Sequence, residues 1–224
     1  MNDLFCWESK YSSCTYSESL LNKIYLQNKK SNQQVDILEI KKAIYYAKKY
    51  HGSQKRLSGE PYYSHPLAVA ELVVPHCFKT DILVTSILHD TIEDTDLTKN
   101  MIGYIFSNNI ATKVDDLTRV KFDQKFSSAE MVELLWLQKK EEVLLIKLFD
   151  RLHNMQTIGS KSKKNQEKIA NETITTFMIL AMYFKNYSLF NEFKQLCTKA
   201  IDLPLDSFNQ RYFLLDEFQL PELG

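Results

Sequence analysis

Two seven-residue runs, ILVTSIL at 82–88 and VLLIKLF at 143–149, are apolar at nearly every position. A helix that is apolar on all sides lies at the centre of a bundle, but a short apolar run can also be a buried strand. The chain has only five glycines and five prolines among its 224 residues, too few for the many turns of a sandwich or a barrel. We therefore predict that both runs are core helices of an all-α protein.

Apolar residues at helical spacing indicate further helices along the chain. Ile40 and Ile44 belong to one that ends at Gly52, the residue type favoured just after a helix C-terminus. Pro66 marks the first turn of another, where proline is best tolerated, so His65 stands at a helix start. The same pattern predicts helices from about Ser17, at 98–107, at 110–118, from about Ser128, at 165–185, at 188–200 and at 206–217.

Charge and cysteine content argue against several classes of protein. Lysine plus arginine and aspartate plus glutamate number 28 each, so no net charge attracts nucleic acid or an anionic membrane. No run approaches the ~18 apolar residues of a membrane span, and the N-terminus lacks the pattern of an export signal. The four cysteines form no CxxC pair, so we expect reduced thiols in a soluble, cytoplasmic protein.

Each core run leads into a carboxylate, ILVTSIL into His89-Asp90 and VLLIKLF into Asp150-Arg151. A buried carboxylate without a partner is costly. For either aspartate alone, an arginine or a helix cap is the simpler partner, and Arg151 adjoins Asp150. However, all five histidines lie between positions 51 and 153, and two of them are close to these carboxylates. A metal site explains the combination better.

His65, the adjacent pair His89-Asp90 and the downstream Asp150 follow the ligand order of the HD-type metal phosphohydrolases, and the chain resembles them in this respect. Two imidazoles and two carboxylates suit a divalent ion such as Mn²⁺, Fe²⁺, Zn²⁺ or Mg²⁺, and they suit Cu(I) poorly. The pattern therefore predicts a divalent metal centre.

Glu93 and Asp94 follow Asp90 by three and four residues, so on a helix they share its face one turn away. Three clustered anions repel each other unless they surround a cation, and beside a cation they can orient and deprotonate a water. The alternative is that Glu93 and Asp94 merely end the helix in solvent.

From roughly residue 40 to 184 the sequence closely resembles the hydrolase domain of the RelA/SpoT proteins, which remove the 3′-pyrophosphate of (p)ppGpp with Mn²⁺. The matching motifs are QKRLSGEPYYSHP at 54–66, LHDTIEDT at 88–95, VDDLTRVKF at 114–122, IKLFDRLHNMQT at 146–157 and KIANET at 168–173. The resemblance implies one HD-domain bundle of about 9–11 helices over 36–200. An extension with one helix would precede it at 1–35, and a C-terminal helix and tail would follow at 201–224.

The resemblance also implies roles for individual residues. The matched metal ligands are His65, His89, Asp90 and Asp150. The residues matched to placement and activation of the water are Glu93 and Asp94. Those matched to the nucleotide pocket are Arg56, against the guanine base, and Ser58, Asn154 and Thr157. Lys147 is a candidate from its own position, one turn before Asp150, for contacting a phosphate or balancing the carboxylates; a lysine that extends to solvent is the alternative.

Three positions depart from the family. Leu57 replaces lysine, Phe149 replaces alanine and Gln156 replaces arginine. Leu57 removes a cation from the substrate mouth and Phe149 adds bulk beside a ligand, but neither changes the metal set. Only about 40 residues follow residue 184, too few for the family's synthetase domain at the usual size of a domain, so we expect a stand-alone form.

The leading hypothesis is therefore a Mn²⁺-dependent (p)ppGpp pyrophosphohydrolase, with ppGpp or pppGpp as its partner. One alternative is an HD phosphohydrolase of another nucleotide such as NADPH, because Leu57 alters the pocket. A second is a regulatory module that binds a nucleotide with little or no turnover. The intact metal ligands and the Glu93-Asp94 pair disfavour this second alternative.

Overall fold

Helices form nearly all of the regular structure in the computed structural model, which describes residues 6–121, 124–204 and 207–208. The chain divides into two compact units, residues 1–150 and 151–224. The helices that begin in the first unit are α1 (Trp7–Lys10), α2 (Thr15–Lys30), α3 (Ile37–His51), α4 (Ser64–Val73), α5 (Thr80–Leu88), α6 (Thr91–Asp94), α7 (Lys99–Ile105), α8 (Asn108–Leu117), α9 (Ser128–Leu137) and α10 (Glu141–Gln156). Those of the second unit are α11 (Lys163–Glu172), α12 (Met178–Tyr183) and α13 (Tyr187–Ala200). The predicted all-α fold is confirmed, while the boundaries expected near residues 35 and 200 stay a prediction.

Both apolar runs are buried helices, as predicted. Every side chain from Ile82 to Leu88 is buried in α5, which packs against α3, α4 and α8. The run within α10 is buried as well, apart from one position. Each fully buried large aliphatic side chain contributes roughly 1.5–3 kcal/mol. This burial holds the C-terminal end of α5 at a defined position in the core.

The polar residues of α5 satisfy their own hydroxyl groups within the helix. Ser86 Oγ donates to the carbonyl of Ile82 at 2.8 Å, and Thr85 Oγ1 donates to the carbonyl of Asp81 at 2.7 Å. A buried hydroxyl without an acceptor would be costly, and the carbonyl four residues earlier removes that cost. Thr85 and Ser86 can therefore lie in the buried part of this helix.

The ends of α3 and α4 follow from local sequence. Asp36 caps α3 by accepting hydrogen bonds from two backbone N–H groups of its first turn. Gly52 follows α3 with a φ of 50°, a conformation that glycine adopts without strain. Pro66 is the third residue of α4, inside the first turn as predicted.

Some elements differ from those predicted. Within residues 36–200 the described residues form eleven α-helices, α3 to α13, in agreement with the predicted nine to eleven. Before them lie α1 and α2, where one helix was expected, because α1 is a single turn that periodicity cannot reveal. Two short strands, β1 (Val120–Lys121) and β2 (Gln124–Lys125), pair antiparallel. Apart from residues 207–208, the helix predicted at 206–217 lies outside the described residues.

The long helix predicted at 165–185 is interrupted in the structure. A π-helical turn, Thr173–Phe177, separates α11 from α12. Such a turn inserts an extra residue without changing the apolar character of the buried face, so hydrophobic spacing does not predict it.

No helix in the described parts of the chain combines the length and the apolar character needed to cross a membrane.

Candidate metal centre

Four side chains that were predicted as metal ligands meet in one cluster of the first unit. His65 lies in the first turn of α4, His89 and Asp90 follow the end of α5, and Asp150 lies on α10. His65 Nε2 is 3.1 Å from Asp150 Oδ1 and 3.5 Å from Asp90 Oδ2. His89 Nε2 is 3.0 Å from Asp90 Oδ1 and 3.8 Å from Asp150 Oδ1. His65, His89 and Asp150 are buried and offer ligand atoms within 4.8 Å of one another, close enough to hold one metal ion.

The hydrogen bonding of His89 fits a metal ligand. His89 Nδ1 lies 2.8 Å from the carbonyl of Ser86, which can only accept, so Nδ1 carries a hydrogen and Nε2 is the ring nitrogen left to bind a metal ion. Nε2 is buried and makes no hydrogen bond in the described structure, although Asp90 Oδ1 is near, because the two groups are not aligned for one. A lone pair that faces carboxylate oxygens is favourable when a cation lies between them. The residues present therefore fit a divalent cation.

Charge in the cluster favours a cation as well. Burial lowers the pKa of His89, but Asp90 and Asp150 outweigh it and raise this pKa to about 10. Burial raises the pKa of Asp90, but the two neighbouring histidines outweigh it and hold this pKa below its usual value. The same carboxylates that favour a proton on His89 favour a metal ion next to its Nε2.

Lys147 is buried against the cluster. Its Nζ lies 3.1 Å from Asp150 Oδ2. Burial raises the pKa of Asp150, but the charge of Lys147, the hydrogen bond of His65 and the nearby His89 outweigh it and hold this pKa well below its ordinary value. Lys147 therefore does not extend to solvent, and it supplies positive charge beside a carboxylate.

Glu93 and Asp94 have different surroundings, although they are neighbours on α6. Glu93 accepts hydrogen bonds from the backbone N–H of Arg119 at 3.1 Å and from its guanidinium at 3.0 Å and 3.4 Å. Asp94 Oδ2 accepts a hydrogen bond from the Tyr62 hydroxyl at 2.7 Å. Burial raises the pKa of Asp94, and the bond from Tyr62 offsets only part of this rise. Both carboxylates thus have protein partners, so they do not merely end the helix in solvent.

A second set of contacts holds Asp94 in place. Gln54 Nε2 donates to the backbone carbonyl of Asp94 at 2.8 Å, and Gln54 Oε1 lies 2.9 Å from His51 Nδ1. The ring of His51 stacks on Tyr62 with 4.7 Å between ring centres. Burial and the nearby carboxylates raise the pKa of Tyr62, so its hydroxyl stays protonated and donates. Asp94 is held through both its side chain and its backbone.

Sequence reasoning missed four residues around these carboxylates: Arg119, Tyr62, Gln54 and His51. Arg119, Tyr62 and Gln54 lie inside the motifs that carry the family resemblance, and their position in these motifs was the signal that could have identified them. Periodicity could not find them, because the contacts of Arg119, Tyr62 and Gln54 with α6 join residues 26 to 40 positions apart in the chain, and His51 is linked to α6 through Gln54 and Tyr62.

The residues predicted to contact the nucleotide lie on two segments. Arg56 and Ser58 belong to the loop between α3 and α4, where a tight turn at Gly59, with a φ of 90°, brings the Arg56 N–H to the carbonyl of Glu60 at 2.9 Å. Asn154 lies in the last turn of α10, and the hydroxyl of Thr157 donates to the carbonyl of His153 at 2.9 Å. Their roles stay predictions.

The three departures from the family pattern have clear positions. Leu57 is 77% exposed, and the buried ring of Phe149 packs on His76 with 4.7 Å between ring centres. Gln156 Nε2 donates to Glu192 Oε1 at 2.7 Å within the second unit. Neither of these two contacts involves a candidate metal ligand.

Comparison with known proteins shows the family to which this chain belongs. The HD domain family model matches residues 43–182. The GTP pyrophosphokinase rsh of Brucella ovis is 38% identical over 169 residues, which are 73% of this chain and 22% of that protein. The guanosine-3′,5′-bis(diphosphate) 3′-pyrophosphohydrolase of Aquifex aeolicus is 37% identical over 166 residues, which are 73% of this chain and 24% of that protein. This chain therefore spans about a quarter of the length of these relatives.

A solved structure, described as a metazoan ortholog of SpoT that hydrolyzes ppGpp and plays a role in starvation responses, matches with a TM-score of 0.51. It is 20% identical and the match covers 80% of this chain and 98% of that one, which shows a common fold. The chain belongs to the HD-domain family. Within that family it is a homologue of the RelA/SpoT proteins, as its motifs predicted.

Proposed function

We propose that this protein is a metal-dependent (p)ppGpp 3′-pyrophosphohydrolase, which releases pyrophosphate and leaves GDP or GTP. The observation that carries the proposal is the cluster of His65, His89, Asp90 and Asp150, in which the buried His89 Nε2 faces carboxylates without a hydrogen bond. The activity for which the Aquifex relative is named supports the choice of substrate. Mn²⁺ is the proposed metal, because it accepts this mixture of nitrogen and oxygen ligands.

His65, His89, Asp90 and Asp150 would hold the metal. The ion would supply a Lewis acid for a phosphate oxygen and a water of lowered pKa. Asp94 is the better placed of the two α6 carboxylates to take the proton of that water, because burial raises its pKa and Arg119 does not occupy it. A bond would form between the water oxygen and phosphorus, the bond from phosphorus to O3′ would break, and O3′ would leave with a proton.

The remaining predicted residues would orient the substrate and balance its charge. Arg56 would stack on guanine, while Ser58, Asn154 and Thr157 would contact the nucleotide, as the matching motifs imply. Lys147 would compensate the charge of Asp150, which it contacts in the core. We further propose a cytoplasmic protein with a small nucleotide as its partner and neither nucleic acid nor membrane, since positive and negative residues are equal in number.

The test uses purified protein with Mn²⁺, offered ppGpp, pppGpp and NADPH in parallel. We expect release of pyrophosphate from the first two, loss of this activity with a chelator, and recovery when Mn²⁺ is restored. Hydrolysis of NADPH alone would favour the alternative of an HD phosphohydrolase of another nucleotide. The specific argument for that alternative is the exposed Leu57, which stands where the family usually has lysine. Tight nucleotide binding without turnover would favour a regulatory module.

A further inference from the structure

Arg119 is held rigidly beside the candidate metal centre. It follows α8, and its carbonyl accepts a hydrogen bond from the backbone N–H of Phe126 at 2.9 Å, which closes the hairpin of β1 and β2. Its own backbone N–H and its guanidinium both donate to Glu93. Backbone and side chain are thus fixed together, and little conformational freedom remains to be lost when this guanidinium binds a ligand.

Arg119 is influenced by the carboxylates of the metal centre as well as by Glu93. Burial lowers the pKa of Arg119, but the hydrogen bonds and charge of Glu93, with the charges of Asp150 and Asp90, raise it above its ordinary value. Glu93, to which the guanidinium donates, lies one turn after the candidate ligand Asp90, and this contact holds Arg119 near the metal centre. Within the described part of the chain, Glu93 is the one carboxylate that forms an ion pair with it.

Arg119 also remains accessible to a ligand. Its side chain is 37% exposed, whereas that of Glu93 is 13% exposed. Glu93 engages only part of the planar set of N–H donors that a guanidinium presents, and such a set matches the oxygens of a phosphate. A partly exposed, oriented cation next to a metal centre is suited to an anion that also touches the metal.

We propose that Arg119 binds the pyrophosphate group of the substrate and of the released product, and that Glu93 is a positioning residue that orients Arg119. This inference rests on the proposed function for the identity of the substrate. Glu93 then acts through Arg119, while Asp94 is the carboxylate that receives the proton.

Binding of inorganic pyrophosphate to the Mn²⁺-loaded protein, measured by titration calorimetry, tests the first part without any turnover. Arg119→Ala should weaken this binding about tenfold or more, the size expected for loss of a charge-assisted hydrogen bond. Arg119→Lys should restore part of it, because the charge remains while the planar fork is lost. Thermal melting of each variant confirms that it is folded.

Lys140→Ala is the matched control. Lys140 pairs with Asp116 at 2.7 Å in the same unit, and these side chains are 31% and 11% exposed, close to the values for Arg119 and Glu93. This variant should bind pyrophosphate like the wild type. Equal weakening in both variants, wild-type affinity in Arg119→Ala, or no pyrophosphate binding by the wild-type protein would each overturn the assignment.

A double-mutant cycle tests the second part by kcat/KM for ppGpp. If Glu93 acts through Arg119, the double variant Glu93→Gln/Arg119→Ala should have the same kcat/KM as Arg119→Ala alone or a higher one. The double variant Asp94→Asn/Arg119→Ala should instead lose kcat/KM by the product of the two single losses. Multiplied losses in the first pair would make Glu93 an independent participant and overturn its positioning role. If the wild type binds pyrophosphate through Arg119 but does not hydrolyse ppGpp, the proposed function fails and the anion site stands.

Discussion

Asp150 and Arg151 are neighbours on α10, yet they belong to two different buried charge clusters. In the first unit, Asp150 lies 3.1 Å from both His65 Nε2 and Lys147 Nζ. In the second unit, Arg151 Nη2 donates to Glu172 Oε2 at 2.6 Å, and its guanidinium lies 4.3 Å from the centre of the Phe177 ring. Consecutive residues on a helix do not face the same way. Arg151 is therefore not the partner of Asp150 that adjacency in the sequence suggests.

The two clusters differ in how completely their charges are paired. Arg151 has one carboxylate and one aromatic face, which together satisfy one cation. The cluster around Asp150 combines two carboxylates with an imidazole Nε2 that has no hydrogen bond among the described residues. The first arrangement stabilises the fold, whereas the second is arranged to take up a cation.

Loss of a metal ligand is expected to have the largest effect. Asp90→Ala should abolish both metal uptake and turnover, because one of two charged ligands is removed and the remaining groups bind a divalent ion poorly. Metal content by elemental analysis and pyrophosphate release measure the two properties together. A variant that keeps stoichiometric metal and full hydrolysis would show that this cluster is merely structural, like that of Arg151.

The neighbouring carboxylates should separate metal binding from chemistry. Asp94→Asn and Glu93→Gln should retain metal and lower the rate by about 10²-fold or more, the size expected when a proton acceptor or an oriented phosphate contact is lost. The same two assays apply. Loss of metal in both variants would mean that these residues support the ligands rather than the reaction.

Arg151→Met should destabilise the protein by roughly 2–3 kcal/mol, less than for a fully buried ion pair because Glu172 is partly exposed and can be hydrated. The midpoint of urea unfolding measures this effect. Turnover per folded molecule should remain close to that of the wild type. A tenfold drop in turnover would show that this cluster is functionally coupled to the metal centre.

Arg56 differs from Arg151 in lying in a surface loop rather than in a buried pair. Arg56→Ala should raise KM by roughly 5- to 30-fold, or ~1–2 kcal/mol, with a smaller change in kcat, because a stacking plane and a charge are lost. Arg56→Lys should rescue poorly if stacking dominates. Steady-state kinetics on guanine and adenine 3′-pyrophosphate nucleotides measure the change in KM. A wild-type KM of Arg56→Ala for both nucleotides would show that this loop does not recognise the base.

The smallest effect concerns Cys197, a buried thiol of the second unit. Burial raises its pKa from 9.0 to about 12, although the charge of Arg151 lowers it. The unfolded chain therefore releases this proton first, so the stabilising contribution is complete below pH 9 and is lost as the pH rises toward 12. The stability difference between wild type and Cys197→Ala should shrink by about 0.7 kcal/mol between pH 8.5 and 9.5. A constant difference, measured by urea unfolding at the two pH values, would contradict the shift.

The sequence by itself determined the core helices and the identity of the candidate metal ligands. Apolar spacing predicted α3, α5 and the buried run of α10, because helix formation and burial depend on residues within a few positions of each other. The motif containing His89-Asp90 and the motif containing Asp150 identified the cluster through resemblance, since ligand order is visible in a linear chain.

Only the tertiary structure decided which side chains meet. His65 and Asp150 are 85 positions apart, and Glu93 and Arg119 are 26 positions apart. The rotation of α10 and α6 against elements distant in sequence decides two contacts. The rotation of α10 decides whether Asp150 pairs with Lys147 or Arg151. The rotation of α6 decides whether Glu93 faces water or a guanidinium. Local sequence patterns do not specify that rotation, because the packing of the whole core sets it.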